Sequence, residues 1–250
     1  MEDLKACLLI PHYDQAPLLG RTLDRLGPLG LPAILVDDGS SPDQRRTVAE
    51  IAKEFPWVTL LQRPRNGGKG AAVKDGLLAA SDAGYSHALQ VDADGQHALE
   101  LLPGLLDCAR RNPDKLVLGR PIYGPEVPRA RLYGRWITHL FVFLETLSFD
   151  IRDSMCGFRA YPLPACRELI LSGERLGNRM DFDTEIAVRL YWRGLRVVEF
   201  PVPVSYPPDG ISHFSLCREN RLITAMHTRL CFGLIPRLPR LLMRKWRKGV

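Results

Sequence analysis

The sequence lacks the cysteine pattern of a zinc or disulfide protein. It has no C-x-x-C pair and no clustered histidines, and its six cysteines lie far apart, at Cys7, Cys108, Cys156, Cys166, Cys217 and Cys231. Neither a zinc site nor a disulfide framework is therefore predicted, and the composition fits a reducing cytosol.

Long apolar runs are also missing. The longest ones fall short of the roughly 18 residues that a membrane-spanning helix needs. The first residues, MEDLKACLLIP, begin with acids and carry only a short apolar run, which predicts a first strand rather than a signal peptide.

Acidic residues are absent after Glu219. Eight basic residues follow it, at Arg221, Arg229, Arg237, Arg240, Arg244, Lys245, Arg247 and Lys248, so the formal net charge of +6 belongs to this tail. A basic tail on a nearly neutral body argues against a nucleic-acid-binding core. It favours a surface that meets anionic lipid or another acidic partner.

The rest of the chain has the pattern of an α/β domain. With 250 residues and 46% apolar composition, it can bury the core of one compact domain. Apolar runs predict strands at 6–11, 33–38, 58–62, 87–94 and 115–120, and helices are predicted near 15–27, 42–55, 69–82 and 98–111. This alternation indicates βαβ units and a parallel sheet with helices on both faces.

The second half reads differently. Helices are predicted at about 132–148 and 181–193, separated by the loop DIRDSMCGFRAY. The prolines of LRVVEFPVPVSYPPDG favour an extended or edge conformation. We interpret this half as an acceptor-side layer on the same sheet.

Acid pairs stand at the ends of two predicted strands. Asp37 and Asp38 end one, and Asp92 and Asp94 end another, so we expect all four in one crevice. Asp92 and Asp94 flank a small residue and can bind Mg²⁺ or Mn²⁺, with Gln96 adding a carbonyl oxygen. The alternative is an Asp-rich turn that caps the next helix.

A glycine-rich segment, RPRNGGKGAAVKDGLLAA, precedes a predicted helix. Its glycines let backbone N–H groups approach an anion, and Lys69 adds charge, which is typical of a phosphate cradle. The P-loop spacing is absent, and Val73 stands where a dinucleotide-binding motif needs its third glycine. A plain glycine turn before an amphipathic helix is the alternative.

Seven segments in order resemble the family 2 glycosyltransferases. They are PHYDQ, VDDGS, NGGKGAA, VDADGQH, LGR, DSMCGFRAY and MDFDTEI, spread over residues 6–215. The resemblance is closest to the branch of dolichol-phosphate mannosyltransferases and related polyprenyl-phosphate sugar transferases. It implies a GT-A type α/β fold, a UDP- or GDP-hexose donor, Mg²⁺ or Mn²⁺, and inversion of the anomeric centre.

The resemblance also assigns site residues. It places Pro11, Tyr13 and Asp38 at the base and ribose of the donor, and Lys69 and Gly70 in the loop beside them. Around the diphosphate and metal it places Asp92, Asp94, Gln96, Ser212 and His213. Arg120 and Arg159 match basic residues near phosphates, and Asp183 and Glu185 match the acidic segment at the acceptor side.

The acceptor stays open at this point. A hydroxyl must lose its proton during attack, and Asp183 can take that proton. A lipid phosphate is largely ionised at neutral pH and needs positive residues more than a base. Without the resemblance, MDFDTEI reads as the solvated acidic first turn of a helix.

The segments give residues 1–215 as a catalytic domain and 216–250 as a basic amphipathic tail. The tail mixes large apolar side chains with arginine and lysine, and Pro236 and Pro239 divide it into two short helices. We expect peripheral attachment at the cytosolic face of a membrane, transfer of a hexose to a lipid-linked acceptor, and no nucleic-acid partner. The alternatives are a nucleotidyltransferase that acts on a sugar phosphate, and a non-catalytic membrane-associated protein that retains the fold.

Overall fold

A central sheet organises the chain. The computed structural model describes residues 4–92, 99–124, 129–204 and 216–248. Its strands are β1 (Ala6–His12), β2 (Ala33–Asp37), β3 (Val58–Gln62), β4 (His87–Gln90), β5 (Lys115–Tyr123), β6 (Arg159–Pro162) and β7 (Arg196–Val204). They lie in the order β3-β2-β1-β4-β6-β5-β7. β6 runs antiparallel to β4 and β5, and the other neighbouring pairs are parallel.

Helices cover both faces of this sheet. They are α1 (Ala16–Leu26), α2 (Pro42–Glu54), α3 (Lys69–Asp82), α4 (Leu102–Arg111), α5 (Arg129–Thr146), α6 (Leu163–Leu171), α7 (Phe182–Trp192), α8 (Leu216–Leu234) and α9 (Leu238–Lys248). Short 3₁₀ helices occupy Gly27–Leu29, Leu99–Leu101 and Ile235–Arg237.

The two faces bury separate apolar clusters because side chains alternate along each strand. On β1, Leu8 and Ile10 pack with residues of α1, α2 and α4. Cys7 and Leu9 point to the other face and pack with residues of α3, α6 and α7. The predicted layering of helices on both faces of a mostly parallel sheet is confirmed.

Most predicted elements are present. β7 contains Pro201 and Pro203 and lies at the edge of the sheet, where missing amide donors cost least. The predicted strand 87–94 is shorter than expected and ends at Gln90. β6 and α6 were missed because a four-residue strand beginning with arginine, followed by the prolines of YPLP, carries little periodicity.

The tail helices α8 and α9 pack on α7. Met226, Leu230 and Leu241 are buried in the same apolar cluster as α7. The guanidinium of Arg244 lies 4.3 Å from the centre of the Tyr191 ring. Across the described ranges, no helix combines the length and apolar character that crossing a bilayer requires.

Candidate functional site

The carboxyl ends of β1, β2 and β4 meet at one edge of the sheet because these strands are parallel neighbours. Asp38 follows β2, and Asp92 follows β4 by two residues. β6 is antiparallel, so it begins at this edge with Arg159. Sequence-predicted residues from four elements therefore converge here.

Asp38 holds the glycine-rich loop. Its Oδ1 accepts the Gly67 N–H at 3.0 Å, and its Oδ2 accepts the Gly68 N–H at 2.7 Å. The Arg63 guanidinium forms an ion pair with the same carboxylate. Gly68 has a φ of +97°, a conformation that glycine adopts without strain. Asp38 thus sets the position of the loop that leads into α3.

Lys69, the first residue of α3, lies between two carboxylates. Its Nζ is 2.9 Å from the Asp92 carboxylate and 3.3 Å from Asp183 Oδ2. Burial alone would lower the pKa of Lys69, but the charges of Asp183 and Asp92 raise it well above its usual range. The ammonium therefore joins an acid at the end of β4 to an acid in the first turn of α7.

Asp183 has an oxygen left over. The residue is 4% exposed, and its Oδ1 is buried without a hydrogen-bond partner among the described residues. Buried carboxylate oxygens are normally paired. This oxygen can therefore bind a cation or accept a hydrogen bond from a ligand that enters the site.

Gly157 forms the wall behind the Lys69–Asp92 ion pair. A Cβ at this position would lie 2.5 Å from Asp92 Oδ2 and 2.6 Å from Lys69 Nζ. Only a residue without a side chain leaves that ion pair undisturbed. The glycine belongs to the loop 153–158, which precedes β6.

Arg159 holds this loop in place through hydrogen bonds to its backbone. Its side chain is completely buried, and it donates hydrogen bonds to the carbonyl oxygens of Cys156 at 2.6 Å, Asp183 at 2.7 Å and Ser154 at 2.6 Å. The resemblance placed Arg159 near phosphates. The structure instead commits its guanidinium to backbone carbonyls, so Arg159 ties the loop to the first turn of α7.

Glu185 lies apart from Asp183 although only two residues separate them. It is fully buried and accepts hydrogen bonds from the Gly177 N–H at 2.8 Å, from Arg189 at 2.9 Å and from Arg229 at 2.8 Å. The predicted acidic segment therefore splits in two. Asp183 joins Lys69, and Glu185 joins an internal network of arginines.

The remaining predicted residues are placed as follows. Pro11 lies in β1, Tyr13 follows β1 and is 40% exposed, and Gly70 packs against Phe182 with no room for a side chain. Arg120 lies on β5, partly exposed, with its Nε 3.9 Å from Glu199. Asp94, Gln96, Ser212 and His213 lie outside the described residues.

The oxygen atoms near Asp92 are suitable ligands for a hard cation. Carboxylate oxygens are the ligands that Mg²⁺ and Mn²⁺ prefer. Asp92 is partly exposed at the strand end, and Asp183 holds the unpartnered oxygen. No cluster of three histidine, cysteine or acidic residues with the spacing of a metal site occurs within the described ranges.

Three residues that shape the site were missed. Arg63 and Gly157 stand inside the segments RPRNGGKG and DSMCGFRAY, so the segments were found but these members were not singled out. Arg229 lies in the tail, 44 residues after Glu185, and no motif marks it. Only the fold brings it to α7.

Comparisons with known proteins bear on the family and the fold of the chain. A family model described as glycosyl transferase family 2 matches residues 7–169. Undecaprenyl-phosphate mannosyltransferase from Micrococcus luteus is 31% identical over 205 residues, covering 80% of this chain and 83% of that protein. Polyprenol monophosphomannose synthase from Mycolicibacterium smegmatis is 29% identical over 219 residues, covering 84% and 81%.

Solved structures support the fold. Mannosyltransferase PcManGT from Pyrobaculum calidifontis, in complex with GDP-Man and Mn²⁺, superposes with a TM-score of 0.55 at 15% identity, covering 98% of this chain and 76% of that one. S. aureus TarS residues 1–349, in complex with UDP, gives a TM-score of 0.53 at 14% identity, covering 89% and 70%. At these identities the likeness concerns the fold alone, and the predicted GT-A type architecture is confirmed.

Proposed function

Because the chain belongs to glycosyltransferase family 2, we propose that it transfers a hexose from a nucleoside diphosphate sugar to a polyprenyl phosphate, with inversion at the anomeric carbon. The observation that carries the proposal is the contact of Lys69 with both Asp92 and Asp183. One ammonium there joins the glycine-rich loop, the end of β4 and the start of α7.

The donor side is the edge where Asp38, the glycine-rich loop and Asp92 meet. The N–H groups of a glycine-rich loop and the amino end of α3 favour an anion, and Lys69 adds a positive charge. Asp92, with Asp94 and Gln96, would hold Mg²⁺ or Mn²⁺, which supplies positive charge for the departing diphosphate. Tyr13 stands exposed beside this edge and is proposed to contact the base.

The proposed reaction is a single displacement. A bond forms between the acceptor oxygen and the anomeric carbon while the bond from that carbon to the β-phosphate oxygen breaks, and the nucleoside diphosphate leaves with the electron pair. The residues then have to hold donor and acceptor in line and stabilise charge on the leaving oxygen. Lys69 serves the second task, and Asp183 marks the acceptor side.

A phosphate acceptor fits these residues better than a hydroxyl. One oxygen of Asp183 already faces the ammonium of Lys69, and a lipid phosphate is already largely ionised, so its attack needs no proton transfer. Arg120 and Arg152 flank Glu199 at 3.9 and 3.8 Å and are both substantially exposed, so they are available to an anionic headgroup. Two relatives carry names that specify undecaprenyl phosphate or a polyprenol monophosphate sugar.

An apolar stripe on α5 supports a lipid surface as partner. Five large apolar side chains recur at helical spacing, and each is more than half exposed: Tyr133, Trp136, Ile137, Leu140 and Leu144. Exposed apolar patches of this kind mark membrane or protein interaction sites. With the basic tail, the stripe supports peripheral attachment, which we place at the cytosolic face.

Vesicle binding tests this part of the proposal. Trp136→Gln should weaken co-sedimentation with vesicles that contain anionic lipid. Leu171→Gln changes an equally exposed apolar residue on α6 and should leave binding unchanged. Equal binding by the wild-type protein and the Trp136 variant would show that the stripe does not contact the membrane.

A donor screen tests the reaction itself. The wild-type protein is incubated with UDP- and GDP-hexoses, a polyprenyl phosphate, and Mg²⁺ or Mn²⁺, and both lipid-linked sugar and free nucleotide are measured. Nucleoside diphosphate release with lipid-linked sugar supports the proposal. A parallel incubation with a nucleoside triphosphate and a hexose phosphate tests the alternative, because pyrophosphate release there would indicate nucleotidyl transfer. Donor binding without turnover would indicate a binding protein.

A further inference from the structure

Three carboxylates crowd the start of α7. Asp181, Asp183 and Glu185 fall within five residues, and each is at most 4% exposed. Buried charges of one sign repel one another and lose hydration, so they need cations close by. In the part of the chain that the structure describes, three side chains form ion pairs with them: Lys69 with Asp183, Arg189 with Glu185, and Arg229 with Glu185 and Asp181.

Arg229 differs from the other two because it comes from the tail helix α8. One of its guanidinium nitrogens lies 2.8 Å from Glu185 Oε2 and 3.7 Å from Asp181 Oδ2. Arg189 occupies the other oxygen of Glu185. Without α8, Asp181 would lose its ion-pair partner among the described residues, and Glu185 would keep Arg189 alone.

The network reaches the glycine-rich loop through residues 176–181. Glu185 Oε2, the oxygen that Arg229 contacts, also accepts the Gly177 N–H. One residue on, the carbonyl of Asn178 accepts the Ala71 N–H at 3.0 Å, and Lys74 donates to the Asn178 side chain. The segment thus lies against the first turn of α3, which begins with Lys69.

We infer that Arg229 is a positioning residue for the transfer reaction: the tail helix supplies the counter-charge that holds residues 176–185, and so fixes Asp183 against Lys69. The activity readout rests on the proposed function. The tail then takes part in building the site, whether or not it also binds lipid.

The test compares substitutions at two tail arginines that contact the same helix. Arg229→Met removes the charge at the start of α7. Arg244→Met is the matched control, because Arg244 donates to the Tyr191 carbonyl at 2.9 Å and the Leu195 carbonyl at 3.3 Å, at the opposite end of α7. Arg229→Lys restores the charge without the guanidinium shape.

Steady-state kinetics on the folded fraction give the first readout. Arg229→Met should lower kcat on the order of tenfold, and Arg229→Lys should recover most of that loss. Arg244→Met should keep the wild-type kcat. Equal kcat values for the wild-type protein and Arg229→Met, or equal losses in Arg229→Met and Arg244→Met, would overturn the inference.

Hydrogen exchange gives a readout that does not depend on activity. The Gly177 amide should exchange faster in Arg229→Met than in the wild-type protein, and at the wild-type rate in Arg244→Met. Unchanged protection in Arg229→Met contradicts the inference even if the kinetics differ. If the wild-type protein transfers no sugar, the proposed function fails, and the exchange rates still decide the role of Arg229.

Discussion

Replacing Gly157 with alanine should separate catalysis from stability. The new Cβ would lie 2.5 Å from Asp92 Oδ2 and 2.6 Å from Lys69 Nζ. Ordinary contacts begin near 3.5 Å, so the ion pair has to move by about 1 Å. The φ of Gly157 is not positive, so alanine avoids the strain of a left-handed backbone there.

The two consequences differ in size. A displacement of about 1 Å at reacting groups can cost about 10²-fold in rate, so we expect kcat/KM for sugar transfer to fall by that order. The atoms that must move are side-chain ends, and alanine restricts the unfolded chain, so the free energy of unfolding should stay within about 1 kcal/mol of wild type.

Gly20→Ala is the control for this experiment. Gly20 lies inside α1, and a Cβ there would meet nothing within 4 Å. The substitution should stabilise the protein by about 0.5–1 kcal/mol and leave activity unchanged. Transfer assays and urea unfolding measure both quantities. A Gly157→Ala protein with wild-type kcat/KM, or one that fails to fold, would refute the reasoning about this wall.

Three further predictions concern stability, each measured by urea unfolding. Arg159→Met should cost roughly 3 kcal/mol or more, because it strands three buried carbonyl oxygens; a loss below 1 kcal/mol contradicts the placement. Gly76→Ala should cost about 1–3 kcal/mol despite better helix propensity, because its Cβ would collide with Leu9. Burial lowers the pKa of His87 in the folded protein. Below about pH 6.5 the unfolded chain therefore binds a proton that the folded chain does not, and the free energy of unfolding falls. Between pH 7.5 and 5.5, a His87→Gln protein should lose less of its free energy of unfolding than the wild-type protein, and an equal loss would contradict this.

The sequence predicts the parts of the fold that repeat a pattern. Apolar runs and acid pairs mark β1, β2 and β4, and the glycine-rich segment marks the start of α3. Parallel strands end at one edge, so the meeting of Asp38 and Asp92 with the same loop follows from topology alone. The order of the seven segments further predicts that the first turn of α7 lies at this edge.

Side-chain roles inside the motifs are harder to predict. Arg159 and Glu185 have the chemistry of phosphate and acceptor contacts, yet the structure buries both in hydrogen bonds to the protein. A sequence gives residue type and spacing, whereas the direction of a side chain depends on which backbone packs beside it. The contact between Arg229 and Glu185 depends on the packing of α8 against α7, so no sequence motif near either residue predicts it.

The central claim is that Asp92, held by Lys69 at the end of β4, belongs to the centre that transfers sugar from a nucleotide. The most direct measurement is transfer to polyprenyl phosphate by the wild-type, Asp92→Asn and Asp107→Asn proteins with Mn²⁺, where Asp107 is an exposed acid on α4. We expect lipid-linked sugar and nucleoside diphosphate from the wild-type protein and Asp107→Asn, and a loss of at least about 10²-fold in the transfer rate of Asp92→Asn. Transfer by Asp92→Asn at the wild-type rate would contradict it.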